Sequence, residues 1–203
     1  MHIKCILIKK MKLTKKEQLE ITAKDLFLKH GFKKVSIDEI CKKANVSRKT
    51  FYTFYENKNA LVLFILREMV DNIKASYVDI LKADITFAEK MQKMLMLRLN
   101  TSKSLSLEFV ADFYNPEAGE ILDYFTRMKE ESIVSSRHFL LKAQEKGEMN
   151  PNLNLDYVIW LMQKVMELCS SQDLMSIFPN TESFVRQISE SMLYGIMPVK
   201  SNS

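Results

Sequence analysis

Apolar residues recur along this chain at intervals of three and four, and a polar capping signal stands ahead of nearly every such run. Leu19, Ala23, Leu26 and Phe27 share one helical face behind Thr14-Lys-Lys-Glu17, a capping box in which a hydroxyl and a carboxylate satisfy the free N–H groups of a helix start. Gly31 closes that helix. Ser36-Ile-Asp-Glu39 is a second box, heading a short helix with Ile37, Ile40 and Cys41 on its apolar side that can run only to about Lys43 or Ala44. Asn45, a residue type that tolerates left-handed backbone, makes the turn, and Val46 points inward. Ser47 then caps a helix over Arg48 to Tyr55, and Asn57 caps the next, from Lys58 to about Lys82.

The same pattern continues to the C-terminus. Thr86-Phe-Ala-Glu89 is a further box, followed by Met91, Met94, Leu95, Leu97 and Leu99; a shorter apolar segment surrounds Leu107, Phe109, Val110 and Phe113. Pro116 suits the first turn of a long helix that ends near Lys146 at Gly147. Two more helices, about Asp156 to Cys169 and Thr181 to Gly195, are separated by a loop holding Pro179. The expectation is an all-α protein of about nine helices.

Composition agrees with that class. Four glycines and four prolines in 203 residues make about 4% of the chain, where about 12% is usual, too few turn-makers for a barrel or sandwich of short strands. The longest apolar run, Ala60 to Leu66, is far shorter than the roughly 20 residues that span a bilayer. Cys5, Cys41 and Cys169 are odd in number and form no Cys-x-x-Cys pair, which argues against a disulfide framework or zinc site and favours a reducing cytoplasm. Met1 to Lys10 reads as a basic arm too short in apolar length for a secretory signal, and translation is expected to be able to begin at Met11.

Charge divides the chain. Residues 1–60 carry net +9 and residues 61–203 net −4. A basic head concentrates polyanions and supplies counterion-releasing contacts to phosphates, although a charge run alone is equally a solvated face. Spacing decides between them. Two short helices meet back to back across the turn at Asn45, with Ile37, Ile40, Cys41, Ala44, Val46, Phe51 and one of Phe54 or Tyr55 turned inward; that is the pattern of a helix-turn-helix over residues 36–55, whose second helix enters the major groove.

Leu26-Phe27, Gly31-Phe32, Ser36-Ile37, Ile40, Ala44-Asn45-Val46-Ser47, Phe51-Tyr52 and Lys58-x-x-Leu61 together resemble the N-terminal domain of the TetR family of bacterial transcriptional regulators. The chain departs from the family pattern at Val35, Cys41 and Asn45, and in the order Phe54 then Tyr55. Residues 1–12 are expected to be a flexible basic arm, and the resemblance implies a three-helix DNA-binding domain at 13–60 and an effector-binding and dimerisation domain at 61–203. It implies a homodimer on a pseudo-palindromic operator in the cytoplasm, acting as a repressor whose operator affinity falls when a small molecule binds.

Arg48, Lys49 and Thr50 occupy the first turn of the second helix, where side chains reach base edges, and Arg48 is the candidate for a bidentate contact to guanine. By resemblance, Ser36, Ser47, Tyr52 and Lys58 hold the DNA backbone, and Tyr55 is counted among the DNA-binding residues. The all-round apolar start of the helix from Lys58 predicts burial against both head and body. The candidate effector pocket is Met91, Met94, Leu95, Phe109, Phe113, Tyr124, Phe125, Met128 and Trp160, Met supplying adaptable walls, although Met and Phe at helical spacing are more often plain core. The candidate dimer face is Val158, Leu161, Met162, Val165, Met166 and Cys169 with Phe184, Val185, Ile188 and Met192.

An enzyme is not expected. A di-metal bundle needs Glu-x-x-His, yet Phe27 and Ser135 stand three before His30 and His138, and the sequence holds no metalloprotease, hydrolase, phosphate-loop or dinucleotide motif. No cofactor and no metal are expected. The competing reading is a helical adaptor acting through protein partners, which salt dependence separates from DNA binding.

Overall fold

The computed structural model describes residues 13–114, 119–168 and 172–196. Among them are ten helices and no strand: α1 (Lys15–His30), α2 (Ile37–Ala44), α3 (Arg48–Phe54), α4 (Lys58–Lys82), α5 (Phe87–Ser102), α6 (Leu107–Tyr114), α7 (Glu120–Glu145), α8 (Leu155–Leu168), α9 (Gln172–Ser176) and α10 (Thr181–Ile196). The helix beyond the expected nine is the five-residue α9, which sits in the segment assigned to a loop. Pro116 lies outside the described residues. The long helix α7 begins later than expected, at Glu120, because Gly119 just before it has φ 101°, a conformation no helix contains.

Local chemistry sets the boundaries. The Thr14 Oγ1 accepts the Glu17 N–H at 3.2 Å while the Glu17 carboxylate accepts the Thr14 N–H at 2.7 Å, and those bonds hold the Glu17 carboxyl below its ordinary range. Thr86 and Glu89 repeat the arrangement at α5. Ser36, Ser47 and Asn57 each accept the N–H three residues on. Asn45 ends α2 in left-handed backbone at φ 53°, ψ 47°, the conformation its side chain tolerates.

One hydrophobic core joins α1–α3 to the rest. Leu19, Ala23, Leu26 and Phe27 of α1 pack with Ile40, Cys41, Phe51 and Tyr55, and the cluster continues through Leu61 to Leu66 of α4 into Phe109 of α6 and Ile121 and Phe125 of α7. The start of α4 is therefore buried from both sides. A second cluster gathers Phe87 of α5, Leu140 and Ala143 of α7, Met149, and Val158 and Ile159 of α8. A third pairs Val110 of α6 with Phe184 of α10, which lies along α5.

These clusters correct several expectations. Val158 and Phe184 are 4% and 1% exposed and belong to the chain's own interior, so neither is available to a dimer partner. Trp160 is 52% exposed and stacks on Tyr157 at 6.4 Å, so it lines no internal pocket. The reason is helical phase: with Val158 and Ile159 inward, Trp160 is carried outward. The other pocket candidates divide. Phe109, Phe113, Tyr124, Phe125 and Met128 pack in or against the cluster shared with α1–α3, whereas Met91 packs against the Phe87 cluster; Met94 and Leu95 are half-buried on α5. Of the remaining dimer candidates, Leu161 is exposed, and Val185 and Ile188 are half-buried against Phe184 and Val110. Cys169 and the side chains of Met162, Val165, Met166 and Met192 lie outside the described residues.

Candidate nucleic-acid interface

The head's surface is built outward from Phe51. This ring is fully buried, and the turn at Asn45 brings α3 across α2 over the small side chain of Cys41, whose thiol burial, then the nearby Asp38 charge, pushes up in pKa. With Phe51 inward, Arg48, Lys49, Tyr52 and Thr53 face solvent, and Thr50 is half-exposed. The sequence left open whether Phe54 or Tyr55 completes the core. Tyr55 does, at 8% exposure, and Phe54 is exposed.

Tyr55 consequently leaves the DNA-contacting set. Its hydroxyl donates to the Glu20 carboxylate of α1, and burial together with that bond holds the phenol far above the ordinary tyrosine range. A phosphate would have to displace a carboxylate from a closed site. Lys58 is partly committed as well: its Nζ donates to the carbonyls of Lys33 at 2.9 Å and Val35 at 3.1 Å. An ammonium has three donors, so one remains for a phosphate. Ser36 and Ser47 serve as helix caps yet stay exposed, and a hydroxyl that accepts a backbone N–H still has its own hydrogen to give.

Arg48 is exposed and paired with Asp38, its Nη1 lying 3.0 Å from Oδ1. The Tyr52 hydroxyl, then the Asp38 charge, raises the Arg48 pKa further. Lys49 makes no ion pair among the described residues. Asp38 was not expected at this surface: it stands ten residues before Arg48 in another helix, so only the crossing of α2 and α3 brings them together. Arg48, Lys49, Thr50 and Tyr52 thus share one exposed face of a short helix, flanked by the capping hydroxyls of Ser36 and Ser47. A basic, polar helix face held rigidly by a buried ring suits insertion into a groove.

No helix among the described residues is long and apolar enough to cross a membrane, and no group of three or more His, Cys, Asp or Glu among them could hold a metal ion. The fold and this face are those of a helix-turn-helix head joined to a larger helical body. Residues 22–65 match the family described as bacterial regulatory proteins, tetR family. The chain is 20% identical over 190 residues to the uncharacterized HTH-type transcriptional regulator YdgC of Bacillus subtilis, covering 91% of this chain and 93% of that protein. It is 29% identical over 143 residues to YdeS of the same organism, another uncharacterized HTH-type transcriptional regulator, covering 69% and 70%.

Solved structures share the fold. The fatty acid degradation regulator FadR from Bacillus halodurans superposes with a TM-score of 0.68 at 15% identity, over 92% of this chain and 98% of that one. A putative transcriptional regulator from Saccharomonospora viridis in complex with choline superposes with a TM-score of 0.70 at 18% identity, over 90% and 97%. The head thus matches the tetR family over residues 22–65, and the relatives that span most of the chain are HTH-type transcriptional regulators.

Proposed function

We propose that the protein is a TetR-family transcriptional regulator, a repressor that binds a pseudo-palindromic operator as a homodimer in the cytoplasm and releases it when a small molecule enters the helical body. In this reading residues 13–60 are the DNA-reading head and residues 61–203 the effector-binding and dimerisation body. The observation that carries it is the exposed face of α3, with Arg48 and Lys49 in its first turn and Phe51 buried beneath. Arg48 and Lys49 read bases, and Ser36, Ser47, Tyr52 and the remaining donor of Lys58 hold phosphates.

The exposed apolar residues of α8 support the dimer. Tyr157, Trp160 and Leu161 are exposed together, and the ion pair between Arg137 and Asp156 joins their helix to the ridge of α7 that carries exposed Val134 and Leu141. Aromatic residues beside aliphatic ones on an open face suit a self-complementary contact. A two-fold dimer sets two recognition helices about one turn of DNA, roughly 34 to 36 Å, or somewhat more apart. The choline-bound structure with this fold supports a small-molecule effector in the body.

The experiment is selection of fragments from the source genome by the purified protein and by Arg48→Ala, at two salt concentrations. A palindrome enriched by wild type, lost in the variant and weakened by salt is the expected result. A folded dimer that enriches nothing would overturn the reading and favour protein partners instead.

A further inference from the structure

What orients Arg48 lies on α2. Asp38, in the first turn of that helix, places Oδ1 and Oδ2 at 3.0 and 3.2 Å from the same guanidinium nitrogen, Nη1. Nη1 is the nitrogen that donates to the carboxylate. The Tyr52 hydroxyl, one turn further along α3, helps raise the pKa of the same guanidinium. The Tyr52 ring is braced edge-on against buried Phe51 at 5.2 Å. Neighbouring Lys49 has no such tether among the described residues.

The ion pair itself contributes little to stability. The side chains of Arg48 and Asp38 are 60% and 66% exposed, and an exposed ion pair adds little to folding. On a DNA-facing surface a carboxylate also repels phosphate, so it weakens binding to every duplex. Its compensation is geometric. An arginine already tied at one nitrogen has fewer conformations to lose when its free edge meets guanine O6 and N7.

We propose that Asp38 is a positioning residue that determines specificity: it fixes the Arg48 guanidinium for one guanine at the expense of general DNA affinity. The proposal rests on α3 being the recognition helix. Its signature is a pair of opposite effects from one neutral substitution, tighter binding to arbitrary DNA together with poorer discrimination at a single base pair.

The test selects a binding motif from a random duplex library with wild type. Asp38→Asn, Arg48→Ala and the double variant are then titrated by fluorescence anisotropy against that motif, the motif with its guanine replaced, and an unrelated duplex. Asp38→Asn is expected to bind the unrelated duplex more tightly and to lose at least about fivefold in discrimination at the guanine. Its thermal unfolding should match wild type, and adding it to Arg48→Ala should change discrimination no further. A wild-type motif read equally well by Asp38→Asn overturns the role of Asp38 and leaves α3 as the reader. A wild type that selects no motif overturns both.

Discussion

Gly31 is the most confined backbone position in the head, and replacing it tests how the head is fastened to the helices behind it. Its φ is 77° and its ψ 156°, a region that is essentially reserved for glycine and costs other residues about 1–3 kcal/mol. A Cβ there would meet the Asp112 Oδ2 at 2.5 Å and the Glu108 backbone at 3.3 Å. That carboxylate is engaged, since Oδ2 accepts the Lys33 N–H at 2.9 Å. Pushing it aside adds the cost of a part-buried donor left without its acceptor, about 1–3 kcal/mol. Gly31→Ala should therefore lose roughly 2–6 kcal/mol, which for a chain of this length lowers the melting temperature by roughly 4–24 °C. The assay is thermal and urea unfolding by circular dichroism at fixed protomer concentration, with Asp112→Ala and the double variant alongside. Because Asp112→Ala removes the obstructing oxygen, the two losses should sum to more than the double variant loses. A Gly31→Ala protein melting within about 2 °C of wild type would refute the reasoning.

Two further outcomes are expected. The Tyr55 phenol is raised by burial and by Glu20, so above about pH 10 the unfolded chain releases a proton that the folded chain keeps, and stability falls by up to about 1.4 kcal/mol per pH unit; Tyr55→Phe should be less stable at neutral pH and should flatten that alkaline decline in urea titrations. Trp160→Lys should shift sedimentation from dimer to monomer with helical content unchanged, whereas Val158→Ala, two residues away but internal, should cost about 1–3 kcal/mol of stability without changing assembly; dissociation by neither would reject the α8 face as the contact.

The head was legible because its signals are local. Thr14, Ser36, Ser47 and Asn57 each bond a backbone N–H three residues on, and Asn45 takes its left-handed turn from its own side-chain chemistry. None of this depends on distant parts of the chain. The body was less legible for the opposite reason. In α8, Val158, Ile159, Trp160 and Leu161 are all apolar and consecutive, and only the position of α7 turns the first two inward. The α10 stripe failed in the same way at Phe184, which packs on Val110 of α6 rather than on a partner. Tyr55 and Asp38 needed tertiary structure too: Glu20 captures one and Arg48 the other, each across a helix crossing that sequence spacing cannot supply.

The contacts around the head differ in kind, and that difference bears on how a change in the body would reach α3. Between α4 and α7, open polar ties lie beside the core that Leu66, Ile121 and Phe125 share: Lys74 meets Glu131 at 2.7 Å with both side chains about half exposed or more, and the Arg67 guanidinium lies 5.7 Å from the centre of the Tyr124 ring. Such pairs are weakly held and re-form in water. Between α6 and the head the ties are closed. Phe109 stands edge-on to Phe32 at 6.1 Å, the Ser106 N–H donates to the Leu28 carbonyl at 2.8 Å, and Asp112 holds Lys33 beside a glycine with no room to spare. A packed interior does not absorb displacement by compression. A ligand that moved α6 would therefore carry the turn at Gly31 to Lys33 with it, and the next element after that turn is α2, which presents Asp38 to Arg48.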